Sequence, residues 1–204
     1  EDSMSRHWFA FLSCCLMLLA MGCGADSGDV VQNQPPQESS DPPDESSAVV
    51  AETKSWEEVQ QWVKAQEGKV VVVDVWSTSC ATCMAEFPHF VELANAKSSA
   101  VACASLSIDY YGGNSSPEDA RGKIEKFLTS QQSIAANFIS TDTDEDVLKA
   151  IDAASIPIAL VYDQQGDLNK VFHNLDGEYG AEGFSYEQHI NPLVEQLLAG
   201  DEGE

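Results

Sequence analysis

The chain has 204 residues, enough for one ordinary domain with a sizeable core. It carries 34 acidic and 10 basic residues, a formal net charge of -24 at pH 7, so its field repels phosphate backbones and anionic headgroups. This composition argues against a nucleic-acid partner. The acidic residues are spread along the chain, which favours a self-repelling soluble surface over a dedicated cation-binding block.

The N-terminal segment has the features of an export signal. Arg6 precedes an apolar stretch that ends in small residues just before Cys23. We expect translation to begin at Met4, since the residues before it are acidic. The apolar stretch is shorter than a membrane-spanning helix, which needs about 20 residues. We therefore predict a signal peptide over residues 1–22, with a membrane span as the alternative.

Residues 19–23, LAMGC, resemble a bacterial lipobox, in which the cysteine is lipidated and becomes the mature N-terminus. Ala20 stands where leucine is usual in that motif. The resemblance implies an exported lipoprotein that is anchored to a membrane through Cys23 and faces the periplasm or the cell exterior. Ordinary cleavage near this position is the alternative.

Residues 23–52 are predicted to be a disordered tether. They contain two Pro-Pro pairs and no aromatic residue, so they bury too little apolar surface to offset their ordering entropy. A coil of this kind reaches on the order of 30 Å, which would hold a domain clear of a membrane. We predict the folded domain over residues 53–200 and an acidic tail over residues 201–204.

The folded part alternates predicted helices and strands. Ser55 and Glu58 form a capping-box pattern before apolar residues at helical spacing, and a β-branched run over 69–75 indicates a strand buried on both faces. The later predicted elements are a helix over 84–96, a strand over 101–108, a helix over 116–131, an extended piece at 138–139, a helix over 144–153, a hairpin of 158–162 with 168–172, and a helix over 185–198. This order predicts an α/β fold with a central mixed sheet flanked by helices on both faces.

Two cysteines stand where the first long strand leads into a helix. Cys80 is predicted to be the nucleophile, because free backbone amides and the helix dipole at a helix N-terminus favour a thiolate. Cys83 lies one turn further on and is expected to be less exposed. We predict that it is the resolving thiol, which displaces a mixed disulfide formed at Cys80.

Asp74 and Glu86 are candidates for proton transfer. Cys83 has to lose a proton in a poorly solvated place, and a buried carboxylate with a raised pKa could accept it. Valines flank Asp74 on both sides, which favours burial over a strand-end carboxylate in water. Glu86 follows Cys83 by three residues on the same helix face, with an ordinary exposed glutamate as the alternative.

These residues carry a family resemblance. The stretch 73–76, VDVW, followed by Cys80 and Cys83, resembles the thioredoxin active site. The continuation MAEFP over 84–88 is more similar to the extracytoplasmic branch related to cytochrome c maturation thioredoxins and TlpA-type proteins. Ile156-Pro157 resembles the cis-proline that this family sets beside its disulfide.

The resemblance, which spans residues 53 to 200, implies a thioredoxin-like fold and thiol–disulfide oxidoreductase activity on protein disulfides or dithiols. It implies a docking surface shaped by Trp76, Ile156 and Pro157. We expect a reductant, which would need electrons from a membrane partner, but Ala81-Thr82 lacks the proline that the family commonly has between its cysteines, which leaves the redox direction open. Ser79 stands where the family usually has an aromatic residue, so a large apolar contact surface is absent.

Other hypotheses compete with this one. A zinc site needs four ligands, and the folded part adds only Cys103 and histidines at no ligand-like spacing, so no metal or cofactor is expected. Cys103 is expected to be a buried core thiol. A copper chaperone of the same fold would need a wider cysteine spacing. A peroxidase of this fold would carry its reactive cysteine in a loop that begins with proline. The main alternative is a non-enzymatic tethered binding module whose Cys80–Cys83 disulfide is structural.

Overall fold

The computed structural model describes residues 48–174 and 177–200. The predicted signal peptide, the lipidation site Cys23, the tether as far as residue 47 and the acidic tail over 201–204 lie outside the described residues.

The described part contains a six-stranded sheet and five α-helices. In chain order the elements are β1 Glu52–Lys54, α1 Trp56–Lys64, β2 Val70–Trp76, α2 Ala81–Ala96, β3 Val101–Ser107, a 3-10 turn Pro117–Ala120, α3 Arg121–Ser130, β4 Ala136–Ser140, α4 Asp144–Ile151, β5 Ile158–Tyr162, β6 Leu168–Phe172, a π-helical turn Tyr186–Ile190 and α5 Asn191–Gly200. The predicted capping box at Ser55 is present and both of its hydrogen bonds are made.

The sheet is mixed and its strand order is β1-β4-β3-β2-β5-β6. Strands β1, β4, β3 and β2 pair in parallel, whereas β5 pairs antiparallel with both β2 and β6. The helices between the parallel strands are the crossovers that such pairing needs. The predicted mixed sheet with a late antiparallel hairpin is confirmed.

Strand β2 lies at the centre of the sheet, and all seven of its residues are buried. Val71, Val73 and Val75 belong to the core layer that α1 and α4 cover. Val70, Val72 and Trp76 belong to the opposite layer, under α2, α3 and α5. Because both faces are covered, the strand needs apolar side chains at nearly every position. Asp74 falls on the α2 side and is the exception.

The folded part begins before residue 53. Ala51 is buried in the core, and β1 adds to the sheet beside β4, with Glu52 opposite Phe138. The side chain of Arg121 donates to the Ala51 carbonyl, and the Ala51 N–H donates to Glu125 at 3.2 Å. Three polar residues with no apolar alternation, ETK, gave no strand signal because an edge strand buries little of its side chains.

Candidate active site

The end of β2 and the start of α2 place Cys80 at a helix N-terminus. Cys80 is the N-cap residue of α2, and its Sγ accepts a hydrogen bond from the Cys83 N–H at 3.2 Å. No acidic residue occupies the first turn of this helix, so no carboxylate opposes the helix dipole there. This environment lowers the free energy of a thiolate at Cys80 relative to the thiol.

Cys80 and Cys83 form a disulfide, with their Cα atoms 5.3 Å apart. The two sulfurs differ in accessibility, because Cys80 is half-buried whereas the Cys83 residue is only 2% exposed. An incoming thiolate or disulfide therefore reaches Cys80 and not Cys83. This is the arrangement expected for a nucleophile and a resolving thiol, and those roles stay predictions.

Asp74 is buried on the face of β2 that α2 covers, with only 5% of the residue exposed. Tyr186, from the π-helical turn, donates its phenol hydrogen to Asp74 Oδ1 at 2.6 Å. Burial raises the pKa of Asp74 to about 7; the hydrogen bond from Tyr186 opposes that rise, and the charge of Glu86 adds to it. The predicted burial of this carboxylate is confirmed, and its pKa suits proton exchange near neutral pH.

Tyr186 is the residue that sequence patterns missed. It is fully buried, and burial together with the charge of Asp74 raises the pKa of its phenol well above the usual range. The phenol therefore stays protonated and remains a donor to Asp74. The two residues are 112 positions apart in the chain, so no local spacing connects them.

Glu86 is connected to the same pair through the backbone. Its Oε2 accepts a hydrogen bond from the Tyr186 N–H at 3.3 Å, so Tyr186 bonds one carboxylate with its backbone and the other with its side chain. Glu86 is half-buried and borders an open pocket that also includes His89, Ser185 and His189. Its predicted role, to accept a proton from Cys83, stays a prediction.

Cys103 is confirmed as a buried thiol outside the disulfide. It lies on β3 opposite Val72 of β2. Burial first, and the charge of Asp74 second, raise the pKa of Cys103 to about 12. It therefore carries almost no thiolate at neutral pH.

The predicted contribution of Trp76 to a docking surface is wrong. Trp76 is fully buried, and its ring packs on Phe87 and Phe127 with centroid distances of 5.1 and 5.0 Å. Its side chain points from β2 toward α2 and α3, where it is part of the apolar core that packs against the helix carrying the cysteines. A partner protein has no access to it.

The Ile156–Pro157 peptide bond is cis, as the resemblance implied. Ile158 pairs with Val75, which sets the cis peptide beside the carboxyl end of β2 and hence beside the cysteine loop. Ile156 is half-buried and borders a groove of about 230 Å³ together with Ser79. The expected substrate contacts of Ile156 and Pro157 stay predictions.

A second carboxylate, Asp109, holds the loop that precedes Cys80. The Thr78 N–H donates to Asp109 at 3.0 Å and the Thr78 hydroxyl at 2.6 Å, while Ser77 and Ser107 donate at 3.1 and 2.7 Å. These bonds join the carboxyl ends of the parallel strands β2 and β3. Polar residues just after two adjacent parallel strands are the sequence signal that indicates such a cluster.

Comparison with solved structures places this geometry in a known fold. A solution structure of a thioredoxin-like protein in its oxidised form superposes with a TM-score of 0.50 at 18% identity, over 65% of this chain and 79% of that one. An uncharacterised conserved protein from Geobacillus kaustophilus also gives 0.50, at 19% identity, over 66% of this chain and 70% of that one. A thioredoxin-family thiol:disulfide interchange protein from Chlorobium tepidum gives 0.49, at 16% identity, over 66% and 83%.

This chain has a thioredoxin-like fold. The predicted fold class is confirmed, including the helices on both faces of the mixed sheet. The sequence matches no family model, and a comparison with curated proteins gives no match either.

The described residues of this thioredoxin-like domain are 48–174 and 177–200. No helix there has the length and apolar character needed to cross a membrane. Within the same residues, no group of three or more His, Cys, Asp or Glu side chains is arranged to hold a metal ion.

Replacing Asp74 by asparagine is expected to stabilise the protein by an amount that grows with pH. The pKa of Asp74 is about 7 in the folded protein and about 3.9 for an unfolded aspartate, so between these values only the folded state keeps the proton. Wild-type stability therefore falls as pH rises through this window, and Asp74→Asn escapes the loss. The gain should be smallest near pH 4 and reach about 4 kcal/mol above pH 7.

Urea denaturation at several pH values between about 4 and 8 measures this difference. Glu57→Gln, on the exposed face of α1, is the matched control, because removing any negative charge relieves some repulsion in so acidic a protein. An equal pH dependence for the two variants would contradict the burial-driven pKa of Asp74.

Replacing Tyr186 by phenylalanine is expected to raise the pKa of Asp74 above its present value of about 7. The variant removes the hydrogen bond that stabilises the carboxylate but leaves the ring that keeps water out. Carbon-13 NMR titration of the Asp74 carboxyl group measures the change. Tyr162→Phe, a buried tyrosine in the opposite core layer, should leave the titration unchanged, and a lowered Asp74 pKa in Tyr186→Phe would refute the assignment.

Proposed function

We propose that this protein is a thiol–disulfide oxidoreductase that exchanges disulfides with protein substrates through Cys80 and Cys83. One observation carries the proposal: the disulfide joins an accessible Cys80 at a helix N-terminus to a buried Cys83, and the strand that leads to it carries a buried carboxylate, Asp74. A purely structural disulfide needs neither the difference in exposure nor the costly burial of Asp74 beneath it.

In the reducing direction, the Cys80 thiolate attacks one sulfur of a substrate disulfide. A new S–S bond joins Cys80 to the substrate, and the other substrate sulfur leaves as a thiolate. Cys83 passes its proton to Asp74 and attacks the Cys80 sulfur, which restores the internal disulfide and releases the second substrate thiolate. Asp74 then returns the proton toward solvent, and both substrate thiolates are protonated.

Two electrons pass from the protein dithiol to the substrate in this sequence, and a dithiol donor has to return them. We propose that the natural direction is reduction and that the donor lies in a membrane. Support comes from the resemblance of the active-site stretch to extracytoplasmic thioredoxins.

The residues around the Cys80–Cys83 pair have distinct proposed roles. Asp74 accepts and releases a proton readily because its pKa of about 7 keeps both of its protonation states populated near neutral pH. Glu86 relays protons between Asp74 and the open pocket that it borders. Ile156, before the cis-proline, offers backbone groups that can pair with an extended substrate segment, as an added strand does at a sheet edge.

The proposed enzyme acts outside the cytoplasm as a lipoprotein anchored through Cys23. The signal-like segment, the lipobox resemblance and the proline-rich stretch before the domain support this location. Intact-mass analysis of the mature protein tests the anchor. A mature N-terminus at Cys23 with added lipid mass is expected, and an unmodified N-terminus elsewhere would contradict it.

A redox titration of the purified protein tests the function. The free thiols of Cys80 and Cys83 are followed across graded dithiol and glutathione buffers. We expect a reversible two-electron couple, with a midpoint near about -270 mV for a reductant and near about -120 mV for an oxidant. A pair that stays in one state throughout would favour the alternative, a tethered binding module with a structural disulfide.

Single-cysteine variants serve as the controls for this titration. Cys83→Ser should accumulate a mixed disulfide through Cys80 when it meets an oxidised peptide, because the resolving thiol is missing. Cys80→Ser should accumulate far less, since the remaining sulfur at Cys83 is 2% exposed. Equal trapping by both variants would contradict the assigned order of attack.

A further inference from the structure

Tyr111, in the loop after β3, is an exposed aromatic residue that is held in place at its polar end. The residue is 58% exposed. Its phenol oxygen nevertheless lies 3.3 Å from Ser77 Oγ and 3.2 Å from Ser79 Oγ, at hydrogen-bonding distance from both. The ring is thereby kept against the loop that leads directly into Cys80.

The two serines that hold Tyr111 are themselves fixed. Ser77 Oγ donates to Asp109 at 3.1 Å and lies 2.8 Å from Ser79 Oγ, and the Ser79 N–H donates to Ser77 Oγ. Ser77 is buried, so this small network is anchored in the protein and not only on its surface. The position of the Tyr111 ring is therefore set by the same carboxylate that holds the cysteine loop.

The Tyr111 ring stands between two grooves next to Cys80. One groove, of about 230 Å³, is bordered by Ser79, Tyr111 and Ile156, the residue before the cis-proline. The other, of about 310 Å³, lies on the side of Asp109 and is also bordered by Ser79 and Tyr111. A polypeptide segment that occupies the Ile156 groove contacts this ring, because Tyr111, Ile156 and Ser79, the residue before Cys80, border the same groove.

We propose that Tyr111 is a specificity-determining residue that packs against the polypeptide segment flanking the reactive cysteine of a protein substrate. The proposal rests on the thiol–disulfide exchange function argued above. Ser79 gives the site no apolar surface beside Cys80, and the Tyr111 ring supplies that surface from another loop. A pre-positioned ring loses little conformational entropy on contact, which is why anchored tyrosines are effective binding residues.

The negative charge of the groove and of the whole chain favours substrate segments that are neutral or basic. The Ile156 groove is bordered by one acidic residue, Asp144, and by no basic residue. The whole chain carries a formal net charge of -24, which disfavours the approach of an acidic polypeptide.

The test measures the reaction of wild type, Tyr111→Ala and Tyr111→Phe with each of two disulfide substrates. One substrate is a synthetic peptide with a single disulfide loop and basic flanking residues, and the other is 2-hydroxyethyl disulfide, which has no flanking chain. Each protein is reduced beforehand and the rate constant of a single turnover is measured. We expect Tyr111→Ala to lower the second-order rate constant for the peptide about tenfold while leaving that for the small disulfide within about twofold. Tyr111→Phe, which keeps the ring but loses its anchor, should fall between.

Leu168→Ala is the matched control. Leu168 is also an exposed apolar residue, but it pairs with Tyr162 at the end of the sheet away from the cysteines. The midpoint potential of each variant is measured alongside, and it should equal that of wild type. A peptide with acidic flanking residues should react more slowly than the basic peptide, and the gap should narrow at high salt.

The possible results distinguish a failure of the proposed Tyr111 role from a failure of the oxidoreductase function. An equal loss on both substrates, or a shifted midpoint potential, would mean that Tyr111 acts only through the cysteine loop, which overturns the proposal. Unchanged rates on the peptide would also overturn it. If wild type exchanges with neither substrate, the oxidoreductase function itself fails and the role of Tyr111 fails with it.

Discussion

A carboxylate buried under a helix start is the constraint around which the rest of this domain is arranged. An unpaired buried charge costs several kcal/mol, so Asp74 has to be neutral or hydrogen-bonded. Tyr186 meets that need from the far end of the chain, with a phenol that donates at 2.6 Å. The C-terminal segment is therefore bound to β2, at the centre of the sheet, by this hydrogen bond and to α2 by the packing of Tyr186 against Phe90.

Two carboxylates with opposite surroundings support the two ends of the cysteine motif. Asp74 lies in an apolar layer with one donor, and its pKa is raised to about 7. Asp109 receives hydrogen bonds from Ser77, Thr78 and Ser107, which hold the approach to Cys80 in one conformation. The first is suited to moving a proton, whereas the second is suited to fixing a loop. Asp74 lies on β2 and Asp109 just after the adjacent parallel strand β3, so both are near the carboxyl ends of these two strands.

Sequence patterns predicted those parts of the molecule that depend on local spacing. Strand β2, the hairpin of β5 and β6, the cysteine pair and the burial of Asp74 follow from runs of β-branched residues and from short motifs. Tyr186 was missed because its partner Asp74 is 112 residues away in the chain. Asp109 was missed, although polar residues follow both β2 and β3, because local spacing does not show that these two strands are neighbours. Trp76 was misplaced, because a motif gives a residue's neighbours in sequence but not which core layer covers its side chain.

Cys103 bears on the chemical selectivity of the domain over many rounds of exchange. It belongs to the same core layer as Cys83, the layer that α2 covers. At a pKa of about 12, only about one Cys103 molecule in 10⁵ is a thiolate at pH 7. Because the thiolate is the attacking species, this scarcity of thiolate disfavours disulfide scrambling through Cys103. The apolar surroundings that raise the pKa of Asp74 thus also keep the thiol of Cys103 protonated and unreactive.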